Sequence, residues 1–329
     1  MARPRLSQQQ RARIAQSRQA RRSRQVEQWM SHPTTDTAIQ LGRVIVRHGQ
    51  TVVVDSAGAS VLCALRQHLD GIACGDHVRW QATEVRKGVV LDIEPRSNVL
   101  SRPAFNGQDK PLAANITQLI VVLAVKPKVS GYLLDQYLIV AAQLQIRAVI
   151  CLNKADMLSS DQQADFRARF AHYAALGHLV IQVSCKIADG LLPLRALLVD
   201  HTSILVGQSG VGKSSLINAL SPQSATIEGE LSASTGLGRH TTSASTLYRL
   251  ASGGELIDSP GVRSFRLGKL TRQMLESGYP ELAALLGLCR FNDCQHQAEP
   301  GCVVQASLAD GSVHPDRLAS FQHMTQQLV

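Results

Sequence analysis

The run Gly207-Gln208-Ser209-Gly210-Val211-Gly212-Lys213-Ser214-Ser215 limits the fold of this chain more than any other feature. It satisfies G-x-x-x-x-G-K-[ST] in the required context, with an apolar strand, Ser203–Val206, before it and a helical run, Ser214–Leu220, after it. The glycines let the backbone curl so that its N–H groups point inward at phosphates, and the helix N-terminus adds favourable potential. Lys213 has the reach for β- and γ-phosphates, and the Ser214 hydroxyl suits Mg2+. Such a loop belongs on a parallel sheet. The rest of the region agrees: strands are predicted at Leu119–Val125, Ala148–Leu152, Leu179–Val183 and Ile204–Val206, with helices at Leu133–Gln143 and Asp161–Tyr173. In such sheets ligands sit at the carboxyl ends of the strands.

The residues after the other strands name the base. Asn153-Lys154-Ala155-Asp156 follows Ala148–Leu152, and a carboxylate there can accept from guanine N1–H and the exocyclic amine, a donor pair that adenine lacks. The alkyl stem of Lys154 can cover the base. Ser184-Cys185-Lys186 follows the next strand and is similar to the S-A-K that lines guanine O6 through a backbone N–H. Leu256-Ile257-Asp258-Ser259-Pro260-Gly261 ends a further strand with D-x-x-G, in which Asp258 would hold the Mg2+ water shell and the Gly261 amide would meet the γ-phosphate. Between these lies Gly238-Arg239-His240-Thr241-Thr242, where one threonine, with Thr242 preferred over Thr241, would complete the Mg2+ coordination.

The order of these motifs is unusual. A GTPase runs from the P-loop through a switch threonine and D-x-x-G to N-K-x-D and S-A-K. Here N-K-x-D and S-C-K come first, so the same cycle is opened at another point. With a β-rich segment in front, the chain resembles the circularly permuted GTPases, specifically the ribosome small-subunit-dependent GTPase A (RsgA) family, over about residues 37 to 325. That resemblance implies a GTP hydrolase with Mg2+, whose partner is the small ribosomal subunit and its rRNA during late maturation. The residue after D-x-x-G is Val262, where ordinary small GTPases carry a water-orienting glutamine. The family is known for this substitution, and hydrolysis is expected to be slow until a partner engages. His240 is the best polar candidate to orient the water, with a structural or solvated histidine as the alternative. The proposed catalytic set is therefore His240, Lys213 and Thr242.

In front of this region, Arg43–Arg47, Thr51–Asp55, Ser60–Leu65, His77–Gln81 and Gly88–Ile93 read as five short strands separated by turn residues. Five strands in so short a span predict a small barrel, for which the OB-fold is the common form. Of the net charge of +9, eight positive charges come from the arginines of residues 1–24, which contain no acid. This Arg-rich arm is read as a disordered segment that neutralises nucleic-acid phosphates, with a solubilising extension and a transit peptide as alternatives. Near the C-terminus, Cys289-x4-Cys294-x-His296-x5-Cys302 has the donors for one closed tetrahedral zinc site per chain, while Cys63 and Cys151 read as strand-core residues.

The expectation is thus a multidomain chain: an arm at 1–36, an OB-fold RNA-binding barrel at 37–103, a permuted α/β GTPase domain at 104–278, and a zinc-binding helical and loop domain at 279–329. No apolar run approaches the roughly 20 residues of a membrane span. Seven cysteines at scattered spacings suit a reducing compartment, so a cytoplasmic location is expected; the chain is also expected to be a monomer. The alternative function is a non-catalytic, GTP-sensing RNA-binding scaffold for assembly. An ATPase would leave Asn153 and Asp156 without a partner.

Overall fold

The computed structural model describes residues 38–66, 69, 71–103, 109–221, 245–259, 270–294, 296–297 and 299–328. The Arg-rich arm lies outside them. The chain divides into two compact units, Met1–Arg96 and Ser97–Val329.

In the first unit five strands form a closed barrel: β1 (Gln40–His48), β2 (Thr51–Ser56), β3 (Ala59–Leu65), β4 (His77–Glu84) and β5 (Lys87–Ile93). Their order is β1-β2-β3-β5-β4, with β3 parallel to β5 and β4 closing on β1, an OB-like arrangement. Val44, Val52, Val54, Cys63, Val78, Trp80 and Val90 fill the interior. Two glycines make room for the indole: a Cβ on Gly88 would lie 2.7 Å from the Trp80 ring, and one on Gly42 3.1 Å from its Nε1. Trp80 is 4% exposed and serves the core, so it offers no face for stacking on a base.

The second unit begins with a hairpin, β6 (Val99–Pro103) and β7 (Asp109–Ala114), that the sequence patterns did not predict. Then come β8 (Gln118–Ala124), α1 (Gly131–Leu144), β9 (Arg147–Asn153), α2 (Ser160–Ala168), α3 (Ala171–Ala175), β10 (Leu179–Gln182), α4 (Leu192–Leu198), β11 (Thr202–Val206) and α5 (Lys213–Leu220). Two short strands, β12 (Thr246–Arg249) and β13 (Glu255–Asp258), complete the sheet. The strand order within this unit is β10-β9-β8-β11-β13-β12, parallel throughout except for β12. Every residue of β8 and of β11 is buried, as expected of parallel strands covered on both faces. Chain order runs outward on one side through β9 and β10, and on the other through β13. The reversal falls between β8 and β11, where a ligand crevice belongs. The single helix expected at Asp161–Tyr173 is two helices instead. The chain breaks at Arg169-Phe170, where Phe170 leaves helical geometry and is buried edge-on against Phe166.

Among the described residues four helices follow, α6 (Arg272–Ser277), α7 (Pro280–Ala283), α8 (Val303–Ala309) and α9 (Pro315–Thr325), packed on Ile139 of α1. Approach is close enough that a Cβ on Gly278 would fall 2.2 Å from the Ile139 side chain. Beside this contact lies a buried polar cluster. Arg317 of α9, fully buried, donates to Asp135 of α1 (2.6 Å), to Glu281 of α7 (2.7 Å) and to the Gly278 carbonyl (2.7 Å). The Tyr173 and Tyr279 hydroxyls also donate to Asp135, and Arg317 lies 3.9 Å from the Tyr279 ring centroid. Burial pushes the Asp135 carboxyl above the ordinary carboxylate range, against the pull of Arg317. Removing the guanidinium would leave two acids buried without their cation. Arg317→Met is therefore expected to destabilise the protein by about 3–5 kcal/mol, measured by urea denaturation. A loss below about 1 kcal/mol would mean that the cluster behaves like a solvated surface pair.

Candidate nucleotide site and metal centre

Three of the sequence-predicted motif segments lie within the described residues, as does Asp258 at the start of a fourth, and all of these sit at carboxyl ends of strands of one sheet. Gly207-Gln208-Ser209-Gly210-Val211-Gly212 follows β11 and opens directly into α5, which begins at Lys213 and carries Ser214 and Ser215 in its first turn. Only glycine fits the first and last glycine positions. Gly207 has φ +133 and a Cβ there would lie 2.3 Å from the Val122 carbonyl oxygen, while Gly212 has φ +99 and a Cβ there would meet Asn153 Nδ2 at 2.5 Å. The loop is thus wedged between the backbone of β8 and the side chain that ends β9.

The N-K-x-D segment is tied to this loop. Asn153 Nδ2 donates to the Val211 carbonyl (2.9 Å), and Lys154 Nζ donates to the carbonyls of Gly210 (2.6 Å) and Lys126 (3.2 Å). Lys154 adopts a left-handed conformation, φ +63, that turns the chain from β9 into a short 3-10 turn, Ala155–Met157. Buried Ala155 anchors that turn through its N–H to the Val183 carbonyl, 3.2 Å. Asp156 is thereby carried toward the segment after β10, where Ser184 Oγ donates to its Oδ1 at 2.6 Å and Lys186 Nζ lies 3.7 Å from Oδ2. The Ser184 hydroxyl, ahead of the Lys186 charge, holds the Asp156 carboxyl below the ordinary range. The Lys186 N–H closes the turn on Ser184 Oγ at 3.0 Å. The sequence suggested only a backbone role for this segment; a hydroxyl two residues before a lysine was the available sign that it also orients a carboxylate. Cys185 is exposed, and partial burial with the nearby Asp156 charge raises its pKa.

Lys213 is buried and its Nζ donates to the Gly207 and Gln208 carbonyls, both at 2.6 Å, so the ammonium lies across the loop. Asp258 is the last residue of β13, paired in register with Thr246 of β12. The next cross-strand pair is a hydroxyl bond, Ser245 Oγ to buried Ser259 Oγ, 2.8 Å, which fixes where the chain leaves the sheet. His240, Thr241, Thr242, Gly261 and Val262 lie outside the described residues.

The structure brings Cys289, Cys294, His296 and Cys302 together, their ligand atoms all within 4.8 Å of one another, as the one Cys/His/carboxylate cluster of this kind among the described residues. The edges of the cluster test its fit to a metal. Cys289 and Cys302 Sγ are 3.9 Å apart, and each lies 3.5 Å from His296 Nδ1. A tetrahedron with bonds of about 2.3 Å to sulfur and about 2.0–2.1 Å to nitrogen has edges of about 3.8 Å and about 3.6 Å. Donor chemistry and spacing therefore both fit zinc. Two residues absent from the spacing pattern shape the site: Gln305 and Gln322 each donate to the His296 carbonyl at 2.6 Å, where that residue takes a left-handed φ of +60. The remaining thiols are elsewhere. Cys63, Cys74 and Cys151 are buried, and burial pushes Cys63 and Cys151 up to about 12, in keeping with a core role.

Comparison with known proteins agrees with this geometry. The family model described as RsgA GTPase matches residues 93–268. The chain is 42% identical over 294 residues to the small ribosomal subunit biogenesis GTPase RsgA of Azotobacter vinelandii, covering 88% of this chain and 86% of the relative. It is 43% identical over 286 residues to the Pseudomonas aeruginosa protein of the same name, covering 87% and 84%. Among solved structures it is similar to YjeQ from Thermotoga maritima, with a TM-score of 0.70 at 29% identity over 88% of this chain and 99% of that one. It is also similar to YloQ, described as a circularly permuted GTPase, with a TM-score of 0.67 at 27% identity over 88% and 95%.

Proposed function

The chain belongs to the RsgA GTPase family, and from that premise we propose that it hydrolyses GTP while bound to the small ribosomal subunit, in that subunit's late maturation. The observation that carries the GTP reading is the tie between base-reading and phosphate-binding segments: Asn153 and Lys154 are hydrogen-bonded to the very loop whose amides would cradle the phosphates. Guanine would be read by Asp156, with Ser184 and the backbone from Ser184 to Lys186 beside it. The triphosphate would lie along Gly207–Ser215, with Lys213 leaving the loop carbonyls to meet it. Ser214, Thr242 and Asp258 would hold Mg2+, which neutralises charge developing on the phosphates, and the Gly261 amide would meet the γ-phosphate. The barrel and the Arg-rich arm would contact rRNA. The relatives' role in ribosome biogenesis favours the cytoplasm, and among the described residues no helix is long and apolar enough to cross a membrane. Zinc at Cys289, Cys294, His296 and Cys302 would be structural, because four protein ligands leave no open position.

Val262 gives the site no glutamine to position the attacking water, so partner control falls on hydrolysis rather than on binding. The isolated protein is expected to bind GTP yet turn over far below the roughly 1–100 s−1 of efficient phosphoryl-transfer enzymes. Ordering a loop costs conformational entropy that the binding energy of a large RNA–protein partner can offset. The test is single-turnover hydrolysis with and without purified small subunits, for wild type and His240→Ala. Subunits should accelerate the wild type strongly, and the variant should lose most of that acceleration while keeping its basal rate and GTP affinity. Equal stimulation of the variant would assign the water to a ribosomal group. No stimulation of either protein would remove the partner from the reading.

A further inference from the structure

Helix α2 carries none of the residues assigned to the site above, yet it is bonded to both segments that would read the base. Gln163, half-buried near its start, donates through Nε2 to the carbonyls of Ala155 (2.9 Å) and Leu158 (3.1 Å), which bracket Asp156. Both partners are carbonyls, which only accept, so the side-chain nitrogen must be the atom that faces them. The backbone carbonyl of Gln163 in turn accepts from Gln182 Nε2 at 2.7 Å. Gln182 is the last residue of β10, two before Ser184. One residue of α2 thus ties the turn that presents Asp156 to the strand that delivers Ser184.

The turn has little to hold it from within. It is a single 3-10 turn, Ala155–Met157, closed by the Met157 N–H on the Lys154 carbonyl (3.0 Å) and the Leu158 N–H on the Ala155 carbonyl (3.1 Å). Bonds of this i to i+3 kind have poor geometry, and the chain enters the turn through the left-handed Lys154, a costly conformation for a residue with a Cβ. Two carbonyls three residues apart, gripped by one amide, fix the pitch of the turn. That pitch sets the direction in which the Asp156 side chain leaves it, and so how squarely the carboxylate meets Ser184 and the base.

We propose that Gln163 is a positioning residue for base recognition, holding the 155–158 turn so that both oxygens of Asp156 align with guanine N1–H and the exocyclic amine. The inference rests on the GTP reading above. One bond to N1–H can be recovered by a small rotation of a misplaced carboxylate, whereas two bonds in one plane cannot. Loss of Gln163 should therefore fall on the exocyclic amine.

The test compares GDP with inosine diphosphate, whose base lacks that amine, by competition against a fluorescent nucleotide on the full-length protein. The wild type is expected to prefer GDP by about 10-fold or more, the scale of a hydrogen bond to a charged group. Gln163→Met keeps the length of the side chain and removes both donors. It should weaken GDP by about 3- to 10-fold, the scale of one hydrogen bond, with a smaller loss for inosine diphosphate, so that the preference narrows. In single-turnover hydrolysis KM should rise while the rate at saturating GTP stays within about twofold. Gln163→Lys restores a donor to the two carbonyls and should recover most of the preference. In an Asp156→Asn background, adding Gln163→Met should cost little more, because Gln163 acts through Asp156. Gln182→Met probes the same junction from β10 and should shift the preference in the same direction, which keeps the test open if Gln163→Met fails to fold. A Gln163→Met protein that retains the full preference, equal losses for both nucleotides, or a lysine variant as poor as the methionine one would each overturn the inference. Equal affinity of the wild type for GDP and inosine diphosphate would overturn base reading by Asp156 and this inference with it, whereas a wild-type preference that survives Gln163→Met fails the inference alone.

Discussion

Asp156→Asn is expected to weaken GTP binding by roughly 2–4 kcal/mol, the scale for leaving buried donors unpaired in a site built to bond them, and to erase preference for guanine over other purines. The argument starts from what the carboxylate alone can do. Guanine offers two neighbouring donors, and a carboxylate offers two acceptors in the matching plane; an amide replaces one acceptor with a donor that faces N1–H or the amine. Ser184 makes the loss sharper. Its hydroxyl donates to Oδ1 at 2.6 Å, so the carboxylate is already oriented before any base arrives. In the asparagine variant the amide must choose between that hydroxyl and the base. The same hydrogen bond fixes the pH behaviour. Asp156 titrates below the ordinary carboxylate range, so it remains the acceptor form as pH falls through that range, and guanine selectivity should be lost only below it. Competition of ATP against labelled GTP, run for wild type and variant, is the measurement. Equal competition by ATP and GTP in the wild type would remove Asp156 from the role.

The sequence disclosed this site more fully than it disclosed the fold around it. Glycines 207 and 212, Lys213, Asn153 and Asp156 are legible because each chemistry tolerates few residue types at few spacings. Ser184 was seen as part of a motif but not as a partner of Asp156, because that pairing depends on β9 and β10 being neighbours, a non-local fact. The break at Arg169-Phe170 was missed for a related reason. Residues 161–173 carry no proline or glycine, and the interruption comes from burying Phe170 against Phe166, a tertiary preference that overrides local propensity. The β6–β7 hairpin has Pro103 and Pro111 within its strands, which demotes both in any pattern reading. Least legible of all was the Arg317 cluster. Its members stand at positions 135, 173, 279, 281 and 317, and nothing in their spacing suggests that one guanidinium collects them.

Metal removal should have the other large effect, and the structure says where its damage stops. Between α7 and α8 the described residues form no helix or strand, yet Cys289, Cys294 and Cys302 sit in the same apolar cluster as Leu282, Val304, Leu318 and Phe321. Zinc on these ligands would hold a loop with so little regular structure. Apparent zinc affinities of about 10–16 kcal/mol in small structural sites exceed what the few apolar side chains of this segment supply. Cys302 is also the N-cap of α8, its Sγ accepting from the Gln305 N–H at 3.4 Å, so metal loss is expected to loosen the first turn of that helix as well. The Arg317 clamp lies on α9 and α7, outside the ligand loop, and should hold those helices against α1 after the metal has gone. Wild-type protein purified without added zinc is therefore expected to carry close to one zinc per chain, and Cys294→Ala far less. Chelation should open protease sites between residues 284 and 302 while α9 stays protected. Because thiols and imidazole must shed protons to bind, zinc retention should weaken as pH falls. A stoichiometry near zero in the wild type, or undiminished zinc in Cys294→Ala, would show that these four side chains are not the ligands. Cleavage spreading through α9 on chelation would show instead that the metal, and not the buried arginine, fastens the C-terminal helices.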